Sequence, residues 1–258
     1  MPEAVQQCPA CHRNVRADTR FCPGCGQSLT AAPAPARNDA AASSARFEKQ
    51  WGELKRVGWV FGLLLATSFV FGIVWQSDHS PWPVVILSAV DAAIVLVAVG
   101  LRYPKLLFLF KLHPTGLRGS AALVAIAFVF VGGASAYFWA LARLGVPMIS
   151  ATGTFARAGW PLWTMFLLIS VMPAVFEELA FRGVIQSSLE RVFNARDAWL
   201  IQAALFSVVH LSPLMFPSHF LMGLCLGYMR RRSRSIYPGM LLHACWNALV
   251  VFQELSAG

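Results

Sequence analysis

The stretch AVFEELAFRG, residues 174–183, sets Glu177, Glu178 and Arg182 inside a run that is otherwise apolar. That run extends over roughly 160–185, and about 20 apolar residues are enough to cross a bilayer as a helix. An ionisable group in hydrocarbon costs a few kcal/mol or more, so three in one span mark a functional position. On a helix, Glu178 and Arg182 are four apart, share a face and can pair. Glu177 is turned about 100° from Glu178 and is left free. Pro173, four residues before Glu177, lacks a backbone donor and is expected to kink the helix just ahead of the glutamates.

The surrounding composition agrees with a membrane setting. The 258 residues are 57% hydrophobic and only 13% charged, about half the charge of an ordinary soluble domain. Seven apolar segments are expected to span: roughly 57–75, 82–101, 120–142, 160–185, 197–212, 215–230 and 236–253. LLFLF at 106–110 is too short to cross and reads as an interfacial piece. With the N-terminus in the cytoplasm, 19 of the 21 lysines and arginines fall on the cytoplasmic side and only Arg143 and Arg157 on the other. Positive charge is retained inside, so the expected topology has a cytoplasmic N-terminus and an external C-terminus in a plasma (inner) membrane. The charge of +9 is scattered between apolar runs rather than gathered on one face, which argues against nucleic acid as a partner. The first residues, MPEAVQQCPACH, hold no apolar stretch and do not read as a secretion signal.

Ahead of the spans, CPACHRNVRADTRFCPGC carries Cys8, Cys11, Cys22 and Cys25 as two CxxC pairs ten residues apart. Two such knuckles supply four thiolates to one tetrahedral zinc. A unit of about 30 residues buries too little core to fold alone, so a structural Zn2+ would provide the folding energy. Two disulfides are the alternative, disfavoured in a reducing compartment. The expected organisation is a zinc ribbon at 1–30, a flexible Ala/Pro/Ser-rich linker over 31–50, and a membrane domain over 51–256. The fold class is an all-α polytopic membrane protein preceded by a small zinc-ribbon domain. Cys225 and Cys245 lie in spans and read as packing residues.

The intramembrane polar inventory continues with Asp91, His210, His219, His243 and Asn247. FSVVH sets Phe206 and His210 on one helical face, and HACWN does the same for His243 and Asn247. Three spans thus each turn a polar group to a defined side. Counting 1.5 Å per residue, Glu177 lies about 12 Å, His243 about 10 Å and His210 about 20 Å from the cytoplasmic ends of their spans. Asp91 and His219 have no such companions; His219 sits near a span end and Asp91 reads as a packing or gating group. No HExxH is present, GASA at 133–136 lacks the last glycine of a serine-protease GxSG, and only one aspartate lies deep in a span. A metal held by Glu177, His210 and His243 is allowed by ligand type.

EELAFR at 177–182, FSVVH at 206–210 and HACWN at 243–247 resemble, in order, the EExxxR, FxxxH and HxxxN motifs of the CPBP intramembrane proteases, the group of CAAX prenyl endopeptidases and bacteriocin-processing enzymes. The resemblance covers about 160–253. It implies an intramembrane endopeptidase in which Glu177 and His210 activate water, His243 and Asn247 stabilise the oxyanion, and Glu178 and Arg182 support the site. It implies a peptide, prenylated protein or membrane protein as substrate. The reading from a different class is a non-proteolytic immunity or scaffold protein whose ribbon binds a partner.

Overall fold

The computed structural model describes residues 5–17, 19–29, 37–75, 79–114, 116–146, 150 and 152–257. The chain falls into two compact units, Met1–Gln50 and Trp51–Gly258. The first holds an antiparallel pair of short strands, β1 (Val5–Gln7) and β2 (Asn14–Arg16). Two knuckles of the same design follow each other. In the first, the N–H of His12 donates to Cys8 O at 2.9 Å; in the second, Gly26 donates to Cys22 O at 2.8 Å. His12 and Gly26 both have positive φ, 56° and 75°, the left-handed turn that lets each loop fold back under its cysteine pair. His12 therefore serves the turn. Cys8, Cys22 and Val15 form the small core of this unit.

The flexible linker expected over 31–50 is corrected in its second part. Residues 31–36 lie outside the described residues, but helix α1 already begins at Arg37 and runs to Trp75. Alanine-rich NDAAASSAR has high intrinsic helix propensity and is continuous with a span that templates it.

In the second unit, α1 is followed by α2 (Trp82–Gly100), a short α3 (Tyr103–Leu106) that continues as a 3₁₀ turn over Leu107–Phe110, α4 (Gly116–Arg143), and a short α5 (Thr152–Arg157). Then come α6 (Leu162–Leu189), α7 (Ala195–Val208), α8 (Phe216–Ser233) and α9 (Tyr237–Ala257). Among the described residues, four helices are long and apolar enough to cross a membrane: α1 from Ala42, α2, α4 from Arg118, and α6. The other three expected spans correspond to α7, α8 and α9. At 14 residues α7 rises only about 21 Å, short of a ~30 Å hydrocarbon core. The membrane-length helices show Trp59, Phe69, Ile86 and Phe128 on their outer surfaces, as lipid-facing helices do. α6 differs: 44% of its most apolar window is buried, against 11–22% in the other three, so it is the central helix.

α7 and α8 form a tight hairpin. Asn194 caps α7, accepting the N–H groups of Arg196 and Asp197, each at 3.0 Å. Gln202 Nε2 donates to Gly223 O at 2.8 Å, and Trp199 Nε1 to Leu224 O at 2.8 Å. Gly223 and Gly227 permit this approach in the manner of small-xxx-small packing. A Cβ on Gly223 would lie 2.7 Å from the Ala203 Cα, and backbone cannot move aside as a side chain can. Alanine gains about 1 kcal/mol of helix propensity, but overpacking typically costs about 1–3 kcal/mol. Gly223→Ala is therefore expected to lower the melting temperature in detergent; an unchanged or raised value would show that the hairpin is loose.

Helix ends meet at two poles. At one, Glu53 takes both terminal nitrogens of Arg102 at 3.0 and 2.9 Å and Arg56 at 2.7 Å, with Arg191 at 3.8 Å. Arg230 clasps Glu190 at 2.6 Å and Ser187 Oγ at 2.6 Å nearby in sequence and space. At the other, Glu254 accepts from Ser150 Oγ (2.9 Å), Thr152 N (3.0 Å) and Thr152 Oγ1 (2.8 Å), and Tyr137 donates to Leu214 O at 2.6 Å. Glu53 and Arg56 of α1 and the ends of α2, α6 and α8 thus share the basic pole.

Candidate active site

α6 is not a uniform helix. It widens into π-helical turns over Phe166–Val171 and Leu179–Ile185, on either side of Met172–Glu178. The first widened turn precedes Pro173, where the ring would otherwise crowd the carbonyl of Ile169. The kink expected at Pro173 thus takes the form of a π segment. π turns are rare and gather at functional sites, and here they bracket both glutamates.

Glu178 and Arg182 are fully buried and lie 2.8 Å apart, as their i, i+4 spacing requires. None of the three Arg182 nitrogens makes an aligned hydrogen bond. The guanidinium is held by proximity to the carboxylate and by the face of Phe206, 4.3 Å from the ring centroid. His243 Nδ1 lies 3.2 Å from Glu178 Oε1, and its Nε2 lies 3.8 Å from Glu177 Oε2. His243 therefore stands between the two glutamates, a link no spacing in the sequence foretells. Glu177 Oε2 has no hydrogen-bond partner, and the Glu177 side chain is 32% exposed against 0% for Glu178. Gly239 completes the pocket around Glu178: a Cβ there would sit 2.8 Å from Glu178 Oε2.

His210 Nδ1 is 2.8 Å from Phe206 O, one turn back. The Nδ1–H donates to that carbonyl, so the Nε2 lone pair is free. His219 repeats the arrangement, Nδ1 to Met215 O at 2.9 Å. The two rings lie 3.9 Å apart between centroids. By spacing alone His219 has no polar companion on its helix face. What brings it in is the α7–α8 turn, where Leu211 adopts φ 52°, an unfavourable left-handed conformation for a branched residue. Phe206 was also missed as a positioning residue: its ring touches Arg182, Phe181, His210 and His243.

Glu177, His210, His219, His243 and Asn247 all line one cavity of about 740 Å3, whose walls are Phe130, Phe138 and Trp246 among others. Of the residues expected at the site, Glu177, Glu178, Arg182 and His243 form one contact group, and His210 and Asn247 face the same space. Asp91 is elsewhere, accepting from Thr67 Oγ1 at 2.6 Å between α1 and α2.

The only group of metal-ligating atoms that converges as around one ion, among the described residues, is Cys8, Cys11, Cys22 and Cys25, with all four sulfurs within 4.8 Å of one another. Glu177 and the imidazoles do not converge in that way. All the described cysteines are free thiols. The Gly24 backbone N–H lowers Cys22 to about 6. Cys25, although the Gln27 backbone lowers it, is pushed up to about 12 by the thiols of Cys11, Cys8 and Cys22. Four sulfurs this close cannot all ionise without a cation among them, so the donor set fits a metal ion.

The fold and site together define an integral membrane protein, helical throughout its second unit, with a buried carboxylate–arginine–imidazole centre. Residues 158–249, which carry α6 to α8, the first part of α9 and every residue of that centre, match the family described as type II CAAX prenyl endopeptidase Rce1-like. The chain is also 26% identical over 92 residues to a Bacillus subtilis (strain 168) protein named "Putative membrane peptidase YdiL", a match covering 36% of this chain and 38% of that protein. The chain therefore matches well under half the length of that curated relative. No solved structure matches significantly.

Proposed function

We propose that this chain is an intramembrane endopeptidase that hydrolyses a peptide bond of a membrane-associated substrate. The observation that carries the reading is the contrast between two adjacent glutamates at one cavity. Glu178 is fully buried and spent on Arg182 and His243, while Glu177 is a third exposed and lines the cavity. In this reading Glu177, with His210 Nε2, takes a proton from water as the oxygen attacks the scissile carbonyl. Asn247 and His243 donate to the oxyanion, with Glu178 orienting the His243 ring through Nδ1. The proton then passes from Glu177 to the leaving amine as the C–N bond breaks. Glu178, Arg182 and Phe206 hold His243 and the floor in place. The test compares peptides released from membranes of cells carrying the wild type with those of Glu177→Ala. Peptides present only in the wild type are expected; identical profiles together with intact biological activity would favour a scaffold.

For the N-terminal unit, the proposed metal is a structural Zn2+, and the proposed role is to bind a protein partner. Four thiolates at knuckle spacing suit zinc over harder cations. Metal analysis of the full chain is expected to find one zinc per chain, lost in Cys22→Ser/Cys25→Ser while the membrane domain still inserts. Zinc retained by that double variant would remove the site. The proposed placement is a plasma (inner) membrane with the N-terminus cytoplasmic and the C-terminus external, on the charge asymmetry already described.

A further inference from the structure

The residues that line the cavity are gathered toward one pole of the helices. Every element that lines it does so from about its middle toward the end away from the basic cluster. α6 contributes Ile169, Pro173 and Glu177, all on the Leu162 side of the buried Glu178–Arg182 pair. α9 contributes His243 and then, toward its C-terminal end, Trp246, Asn247, Val250, Gln253 and Glu254. α4 contributes residues from Phe130 to Trp139, its second half. The α7–α8 hairpin contributes the residues around its turn, His210 to Met222. On the other side of the glutamates, Leu179 to Leu189 is buried without a gap, as are Leu226, Met229, Arg230 and Ile236. The Glu53–Arg102 and Glu190–Arg230 ion pairs lie at that pole.

We infer that the cavity is entered only from the pole bearing Ser150, Thr152 and Glu254, so that the substrate is a polypeptide segment presented on the external face of the membrane. The first part rests on the four lining elements, which agree. The second adds the charge asymmetry: the opposite pole carries the basic residues retained in the cytoplasm. The inference builds on the endopeptidase reading and specifies from which side its substrate comes. From His243 to Glu254 the open face of α9 runs 11 residues, about 16 Å, which is the reach of about five extended residues. Its flanks are Phe138, Trp139 and Trp246, so the segment that fits is apolar and extended near the scissile bond, with polar chain continuing past Gln253 and Glu254. A substrate confined to the cytoplasm cannot reach Glu177 by this route.

Sidedness is measurable without any cleavage assay. Three variants of the full chain each gain one cysteine: Gln253→Cys at the open rim, Ser135→Cys on the cavity wall, and Lys105→Cys at the basic pole. A sulfonated, membrane-impermeant maleimide is applied to intact cells and to inverted vesicles, and modification is read peptide by peptide by mass spectrometry, so that the native cysteines do not interfere. Positions 253 and 135 are expected to react in intact cells, and position 105 only in inverted vesicles. Reaction of position 135 only in inverted vesicles, or from neither side, would overturn the entry route. Reaction of position 105 in intact cells would overturn its external placement. Failure of the endopeptidase reading is separate: it would show as cleavage surviving Glu177→Gln, whatever the labelling pattern.

Discussion

Glu177→Gln is expected to abolish peptide cleavage while leaving the melting temperature of the purified protein close to that of the wild type. Glutamine keeps the size of glutamate and removes only the group that accepts a proton. Glu177 is a third exposed, its Oε2 has no hydrogen-bond partner, and His243 Nε2 is 3.8 Å away. Little stabilisation is therefore lost with the charge. Loss of a positioned general base typically costs about 10²–10⁴-fold in rate. The measurement is single-turnover cleavage of a peptide in detergent beside a thermal unfolding curve. Cleavage within a factor of a few of wild type would take the base away from Glu177.

Glu178→Gln should behave in the opposite way, although the two residues are neighbours. Here the carboxylate is fully buried beside a fully buried guanidinium at 2.8 Å. Removing one partner of a buried ion pair leaves an uncompensated charge, at a cost of about 3–5 kcal/mol, a large part of the 5–15 kcal/mol that holds a typical domain folded. The Phe206 face offsets a small part of that. Glutamine can still accept from His243 Nδ1, so the loss is attributable to Arg182. A markedly lower melting temperature and reduced protein level are expected, with activity falling alongside. The double variant Glu178→Gln/Arg182→Met, which removes the stranded charge, should be more stable than Glu178→Gln alone. If instead Glu178→Gln is stable but inactive while Glu177→Gln still cleaves, the two roles are reversed.

Much of the site follows from period and composition. Four apart on a helix, Glu178 and Arg182 had to meet if both were buried, because neither charge is tolerable alone in hydrocarbon. The same spacing separated Glu177 from the pair. The knuckle cysteines announced their cluster, since CxxC repeated at close range has few other uses. The reading faltered where local propensity competes with a label: alanine-rich 37–46 looks like linker by composition but is helical in the structure, because a span propagates through it. Helices α7 and α8 looked like spans by apolar content, yet α7 is too short to cross, and both are committed to each other through Gly223 and Gln202.

The sequence by itself determined that the chain is helical and membrane-embedded, that it carries a four-cysteine metal-type head, and which carboxylate is paired and which is free. These follow from distances of a few residues along one helix or one turn, where geometry is set by the backbone alone. Tertiary structure decided what crosses between helices. It set His243 between both glutamates, laid Phe206 under Arg182, turned His219 onto His210, and gathered the cavity lining toward one pole. Those contacts join residues 9 to 66 positions apart in the chain. No periodicity encodes them, because they depend on how apolar faces and glycine-lined grooves choose one packing among many.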